Sequence, residues 1–191
     1  MAVARTPRQA WIEQGLQTLA AHGVAAVRIE VLAKALGVTK GGFYGYFADR
    51  NALLEEMLDT WERESIDDVL ARVEDEDDPR VKIVLAGQLT LSRERLLAID
   101  LAIRDWARRD DAVAERLRRV DNRRMALLRS TIGTFCDDPD EIEARSLLAF
   151  CAAIGNQFLV ADHNGRTRDE VLARASAIIL DRPPDRPSPG S

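Results

Sequence analysis

The sequence predicts an all-α fold, and three observations carry that expectation. Pro7, Pro79 and Pro139 each follow a capping-type residue, Thr6, Asp78 and Asp138. This is the pairing of an N-cap with proline at the first helical position. Apolar residues recur at three- and four-residue spacing, and the Val-rich alternation of strands is missing.

The first helix is expected over about residues 7 to 22. Thr6-Pro-Arg-Gln9 forms its capping box, and Trp11, Ile12, Leu16, Leu19 and Ala20 form its apolar stripe. His22 closes it, with Gly23 as the left-handed residue beyond the cap. A second helix runs over about 29 to 36, because Ile29, Leu32, Ala33 and Leu36 share one face. Gly37 ends it, Val38 fills the turn, and Thr39 caps a short third helix through about residue 46. Asp49 caps a long fourth helix reaching about Val73. The acidic run Glu74 to Asp78 reads as a solvated linker. Two helices follow between Pro79 and about Asp110, with a break between Ser92 and Leu97. The next spans about 111 to 136, with Val113, Leu117, Val120, Leu128, Ile132 and Phe135 inward and Arg118, Arg119, Arg123 and Arg129 outward. Asp138-Pro-Asp-Glu141 opens a helix over 139 to 161, and Thr167-Arg-Asp-Glu170 opens the last, over 168 to 181. The Pro-rich tail, 182 to 191, is expected to be disordered.

The stretch GVTKGGFYGYF, residues 37 to 47, stands apart. It holds four of the eleven glycines and four of the ten aromatics, although each helical glycine costs about 1 kcal/mol against alanine. Two short helices joined by a Gly-containing turn describe a helix-turn-helix, whose second helix presents its N-terminal residues to the major groove. Gly41, Gly42 and Gly45 remove bulk so that the backbone approaches closely. Lys40 reaches a guanine edge or a phosphate, and the Thr39 hydroxyl serves a cap or a phosphate. Phe43 and Phe47, four apart, read as core. Tyr44 and Tyr46 read as phosphate contacts on the flanks.

Charge agrees with that placement. Residues 1 to 50 carry six basic and three acidic side chains, a balance of +3, while the remainder carries 21 basic and 29 acidic, a balance of −8. A basic end on an acidic body suits an end that meets a polyanion. The opening residues lack the apolar core of a secretory signal, and no apolar run reaches about 18 residues. A cytoplasmic protein is the expectation. Cys136 and Cys151, too far apart along their helices for a bridge, read as reduced packing residues. His22 and His163 are the only histidines. They form no zinc-site spacing with Cys151 or Asp162, and no phosphate loop or nucleophile elbow appears. Neither catalysis nor a cofactor or metal is expected. A helical interaction module without DNA binding is the competing class, and steep salt dependence of duplex binding separates the two.

The segment VLAKALGVTKGGFYGYFADRNALL resembles the TetR (TetR/AcrR) family of bacterial transcriptional regulators. Leu32-Ala33 and Leu36-Gly37-Val38-Thr39 match the family's turn. Gly41, Phe43, Tyr44 and Phe47 match its recognition helix, and Arg50 with Leu53-Leu54 its fourth helix. Arg28 stands where the family usually has a Ser or Thr cap, Arg50 where it has Lys, and Gly42 where Thr is common. The resemblance covers about residues 8 to 56. It implies an N-terminal DNA-binding domain over 1 to 50 with contacts from Arg28, Thr39, Lys40, Gly41, Gly42, Tyr44, Tyr46 and Arg50. It implies a ligand-binding and dimerisation domain over 51 to 181, about nine helices in all. The expected function is that of a repressor which binds a palindromic operator as a homodimer and is released by a largely apolar small molecule.

Residues 147 to 160, LLAFCAAIGNQFLV, are apolar nearly all round and need covering on two sides. Leu148, Ala152, Gly155 and Leu159, with Leu172, Ala175 and Ile179 on the last helix, are the expected dimer contacts. Met57, Trp61, Leu85, Gln88, Leu89, Ile103, Trp106 and Leu128 are the expected pocket walls, against the plainer reading that such residues are core. Arg104 and Asp105 read as interhelical or surface pairs.

Overall fold

The computed structural model describes residues 6–91 and 94–181, with the side chains of 87–91 and 94 left aside. The expected tail therefore lies outside the described residues, as do the side chains of Gln88 and Leu89. Among the described residues there are nine α-helices and no strand. They are α1 (Arg8–His22), α2 (Ile29–Ala35), α3 (Lys40–Phe43), α4 (Arg50–Val73), α5 (Pro79–Leu91), α6 (Glu94–Ala107), α7 (Asp111–Ile132), α8 (Pro139–Gly155) and α9 (Arg168–Leu180), with a 3-10 turn at Val24–Ala26.

Local capping fixes several starts. The Asp49 carboxylate accepts from the Ala52 amide at 2.8 Å, and the Asp78 carboxylate from the Arg80 amide at 2.8 Å. The Asp138 side chain accepts from the amides of Asp140 and Glu141, and Thr167 with Glu170 forms the full reciprocal box. Each satisfies amides that a helix N-terminus leaves without intrahelical partners. The box expected at Thr6 is not formed: Pro7 itself is the N-cap of α1, with no side-chain bond. Gly23 has φ 76° but ψ 171°, an extended glycine-only conformation rather than the left-handed helical one. It turns the chain straight into the 3-10 turn.

Three helices are shorter than expected. α3 stops at Phe43, where Gly41, Gly42 and Gly45 have already weakened it. α7 stops at Ile132, directly before Gly133, and the turn after it folds Cys136 inward. α8 stops at Gly155, not at 161. Its trailing carbonyls, Asn156 and Leu159, are taken by Arg168.

Two compact units divide the chain: Met1–Arg72 with Leu89–Asp121, and Val73–Gln88 with Asn122–Ser191. In the first, α1 packs along α6, and one core joins Trp11, Leu16, Leu32, Phe43, Met57 and Trp61 to Ile99, Ile103, Val113 and Val120. Within it lies one fully buried carboxylate. Asp100 is 0% exposed. It accepts from the Trp61 indole at 3.2 Å and from Arg104 at 2.9 Å, while Arg104 forms a fork on Asp121 at 2.9 and 2.7 Å. A charge out of water survives only when paired and hydrogen-bonded. Ion pairs also cross the surface: Arg116 on α7 reaches Glu55, Asp59 and Glu62 of α4. Arg95 on α6 joins Glu13 and Glu64, and its hydrogen bond holds the Glu13 carboxyl below the usual range.

The second unit has a smaller core of Ile83, Ile132, Cys136 and Leu180, flanked by Leu128, Phe135, Ile142 and Ile179. Arginines tie its helix ends. Arg80 donates to the Leu180 carbonyl at 2.9 Å and lies over the Phe135 ring at 4.8 Å. Arg145 of α8 donates to the carbonyls of Ile179 and Asp181 at the end of α9, and Arg168 of α9 does the reverse for α8. Between them, Asn164 (φ 51°) and Gly165 (φ 81°) turn the chain inside a His163–Arg166 bridge, the positive-φ pair that Asn-Gly favours. Cys136 is buried as expected. Cys151 is exposed on α8, so it is not a packing residue of this chain alone.

Candidate nucleic-acid interface

The interface is built from the turn outward. Gly37, at φ 68°, receives no crowding at its missing Cβ, so its conformation and not its size is what the site needs. Its amide bonds the Lys34 carbonyl at 3.2 Å, and the Val38 amide bonds that of Ala33 at 2.9 Å. These two bonds are a Schellman close. They fix the angle at which the chain leaves α2, and Thr39, extended at φ −88° and ψ 155°, starts α3.

Below the turn lies an aromatic floor. Phe43, 0% exposed, meets Trp11 edge-on at 5.4 Å and stacks on Phe47 at 5.2 Å. Arg8 sits over the Phe47 ring at 5.1 Å and pairs with Glu56. Such ring pairs add about 0.5–1.5 kcal/mol each beyond their buried area, which offsets part of the glycine cost.

Above the floor the helix is open. Thr39, Lys40 and Gly41 are exposed, as is Arg28, the residue that caps α2 without a side-chain bond. The Thr39 hydroxyl makes no cap bond to α3. Tyr44 is 60% exposed. A Cβ at Gly41 would meet only the Thr39 hydroxyl oxygen at 3.7 Å, and one at Gly42 only Trp11 at 3.9 Å. Both are ordinary contacts, so packing within the chain does not require glycine at either position.

Three expected contacts are placed differently. Tyr46 is half-buried against the core and Tyr44 alone of the two stands out. Arg50 is half-buried and turned inward, donating to the Val27 carbonyl at 2.5 Å and the Val24 carbonyl at 2.7 Å. Lys40 is paired with Glu30 of α2 at 2.5 Å, and that bond lowers the pKa of the Glu30 carboxyl. Sequence reasoning missed Glu30 and the inward role of Arg50, for both depend on the tertiary path. Asp100 did leave a signal, since it falls with Leu96, Ile99 and Ile103 on one apolar stripe.

The expected pocket residues whose side chains are described divide between the two units. Met57, Trp61, Ile103 and Trp106 belong to the core of the first unit, Met57 so tightly that a Cβ on Gly15 would lie 2.6 Å from its sulfur. Leu128 packs on the core of the second unit, and Leu85 is half-buried. Arg104 and Asp105 are pairs, as expected, with Asp105 on Arg109. Of the expected dimer contacts, Leu148, Gly155 and Leu159 are exposed, while Ala152, Leu172, Ala175 and Ile179 are half-buried. Leu147, Phe158, Val160 and Ile178 are exposed beside them in sequence.

A Schellman-closed turn between two short helices, an aromatic floor and an open, glycine-thinned second helix form a helix-turn-helix, the motif that presents its second helix to DNA. Residues 12–57 match the family described as bacterial regulatory proteins, tetR family. The fold extends the match. A transcriptional regulator from Saccharomonospora viridis, solved in complex with choline, is 20% identical with a TM-score of 0.71 over 90% of this chain and 94% of that one. FadR from Bacillus subtilis, solved with stearoyl-CoA, is 12% identical with a TM-score of 0.67 over 91% and 98%. AibR, solved with isovaleryl coenzyme A and operator DNA, is 14% identical with a TM-score of 0.63 over 90% and 95%. No functionally curated protein matches the chain in sequence.

Proposed function

We propose that this regulator is a cytoplasmic repressor which binds a palindromic operator as a homodimer and releases it when a small molecule binds. The carrying observation is the exposed start of α3, Thr39, Lys40 and Gly41 with Tyr44, on a buried aromatic floor. Arg28 and Tyr44 contact phosphates, Lys40 a base edge or a phosphate, and Gly41 and Gly42 let the backbone approach. Catalysis has no part in this reading.

Dimerisation rests on α8 and α9. Leu147 and Leu148 on α8, Phe158, Leu159 and Val160 after it and Ile178 on α9 leave apolar area in water, and a second copy covers it. Two recognition helices must then stand about 34 Å apart, one turn of DNA. The effector is a largely apolar molecule received by the helices that follow the helix-turn-helix. Its binding shifts α4 and with it that separation, with a coupling of about 1–3 kcal/mol.

Selection from random duplexes tests the reading. The expected product is an inverted repeat with half-sites one turn apart, bound with a log–log salt slope near one per phosphate neutralised. Choline and acyl coenzyme A thioesters, present in structures of the same fold, are the first effector probes. Recovery of no duplex sinks the operator reading. Recovery of a single half-site sinks only the dimer.

A further inference from the structure

Besides the apolar core, a side chain at the start of α4 is hydrogen-bonded to the segment that leads into the helix-turn-helix. Arg50, the first residue of α4, reaches back 23 and 26 positions to the carbonyls of Val27 and Val24. Val27 is 0% exposed and closes the 3-10 turn, its amide already bonded to Val24 at 3.2 Å. Its carbonyl lies one residue ahead of the first helical bond of α2, from the Leu32 amide to the Arg28 carbonyl at 3.0 Å. A buried carbonyl there needs a donor, and the guanidinium supplies two in a fixed fork. α2 and α3 are in turn joined by the Schellman close at Gly37. Whatever holds the start of α2 therefore also aims α3.

We propose that Arg50 is a positioning residue for DNA recognition. It locks the start of α2 to the first turn of α4 and thereby sets the direction of α3, and it makes no phosphate contact of its own. A lysine at this place keeps the charge but presents a single ammonium, which cannot span two carbonyls in fork geometry. The proposal rests on the operator-binding reading, so one arm of the test uses the protein without DNA.

The variants are R50K and R50Q, compared with wild type. The probes are the duplex that wild type selects from a random pool and a scrambled duplex of equal length, each titrated at several salt concentrations. Thermal midpoint and amide hydrogen exchange are measured on the free proteins. Both variants should lose about tenfold in affinity for the selected duplex, as expected for a lost charge-assisted pair of hydrogen bonds. Scrambled-duplex affinity and both salt slopes should stay unchanged, with the midpoint moving by no more than about 4 °C. Exchange at the Val27 and Leu32 amides should quicken while α1 is unaffected. R50K at wild-type affinity together with an R50Q slope reduced by about one would make Arg50 a phosphate contact and overturn the proposal. So would equal losses on both duplexes that track a fallen midpoint, or unchanged exchange at Val27. If wild type selects no duplex, the operator reading fails and the exchange arm alone decides the joint.

Discussion

The core of the first unit and the α8–α9 pair of the second are both rich in apolar residues, yet they finish differently. Trp11, Leu32, Phe43, Met57 and Trp61 are sealed, and even a carboxylate, Asp100, is sealed with them behind its own hydrogen bonds. On α8 and the segment after it, Leu148 is 57% exposed, Phe158 64% and Val160 99%. The pair is not loose. Arg145 and Arg168 each cap the other helix's end, and a complete capping box opens α9. A rigid frame that leaves its apolar residues in water is half of an interior, whereas the first unit is a whole one. The difference teaches where the chain seals its own apolar surface and where it leaves that surface in water.

The largest effect should come from opening the sealed region. Asp100→Ala leaves Arg104 and the Trp61 indole without their shared acceptor. Loss of one partner from a buried pair costs about 3–5 kcal/mol, measured as a fall in urea midpoint. Asp100→Asn, which keeps an acceptor for Trp61, should cost less. Equal stability of both variants and wild type would mean that the carboxylate contributes nothing and that the contrast with α8 is one of packing alone.

Leu148→Asp tests the other side. Placed on the exposed face, the new charge should leave the helical spectrum and the monomer's thermal midpoint unchanged, while sedimentation shows dissociation. Operator affinity should then fall by about a hundredfold or more, the value of joining two sites through one scaffold. A fully dimeric Leu148→Asp would move the partner surface elsewhere on the molecule.

What the sequence disclosed follows the same division between local and distant causes. Asp49, Asp78, Asp138 and Thr167 announce helix starts because a cap acts within three residues. Gly37 was legible for the same reason. The end of α8 was not, because the groups that terminate it come from Arg168, twelve residues away across a turn. Arg50 showed its charge but not its direction, since Val24 and Val27 approach it only once α1 has packed. The floor of the interface, Phe43 and Phe47, was readable from spacing. The rim was readable in residue type alone, and the pairing of Lys40 with Glu30 across ten residues had no local mark.

Lys40→Ala, within that rim, should weaken the selected operator about tenfold while leaving dimerisation intact, the scale of one good side-chain contact to DNA. A loss confined to the selected duplex indicates a base contact. An equal loss on scrambled DNA, with a salt slope lower by about one, indicates a phosphate.

The smallest effect expected is also the most discriminating between the sealed and open regions. Glu30 holds Lys40 at 2.5 Å on the solvent side, where both are more than half exposed. Surface pairs of this kind contribute little to stability, so Glu30→Gln should leave the thermal midpoint unmoved, unlike any change at Asp100. On DNA its consequence has a definite sign. Lys40 must exchange the carboxylate for a DNA acceptor, and the carboxylate then faces the phosphates. Removing its charge should raise affinity for scrambled duplex about two- to threefold and raise it less for the operator, so the ratio between them falls. Glu30 would then lower affinity in exchange for discrimination, a repulsive element against the wrong partner. If Glu30→Gln instead weakens the operator and leaves scrambled DNA unchanged, the carboxylate serves to aim the ammonium, and the open rim is as pre-arranged as the buried pair around Asp100.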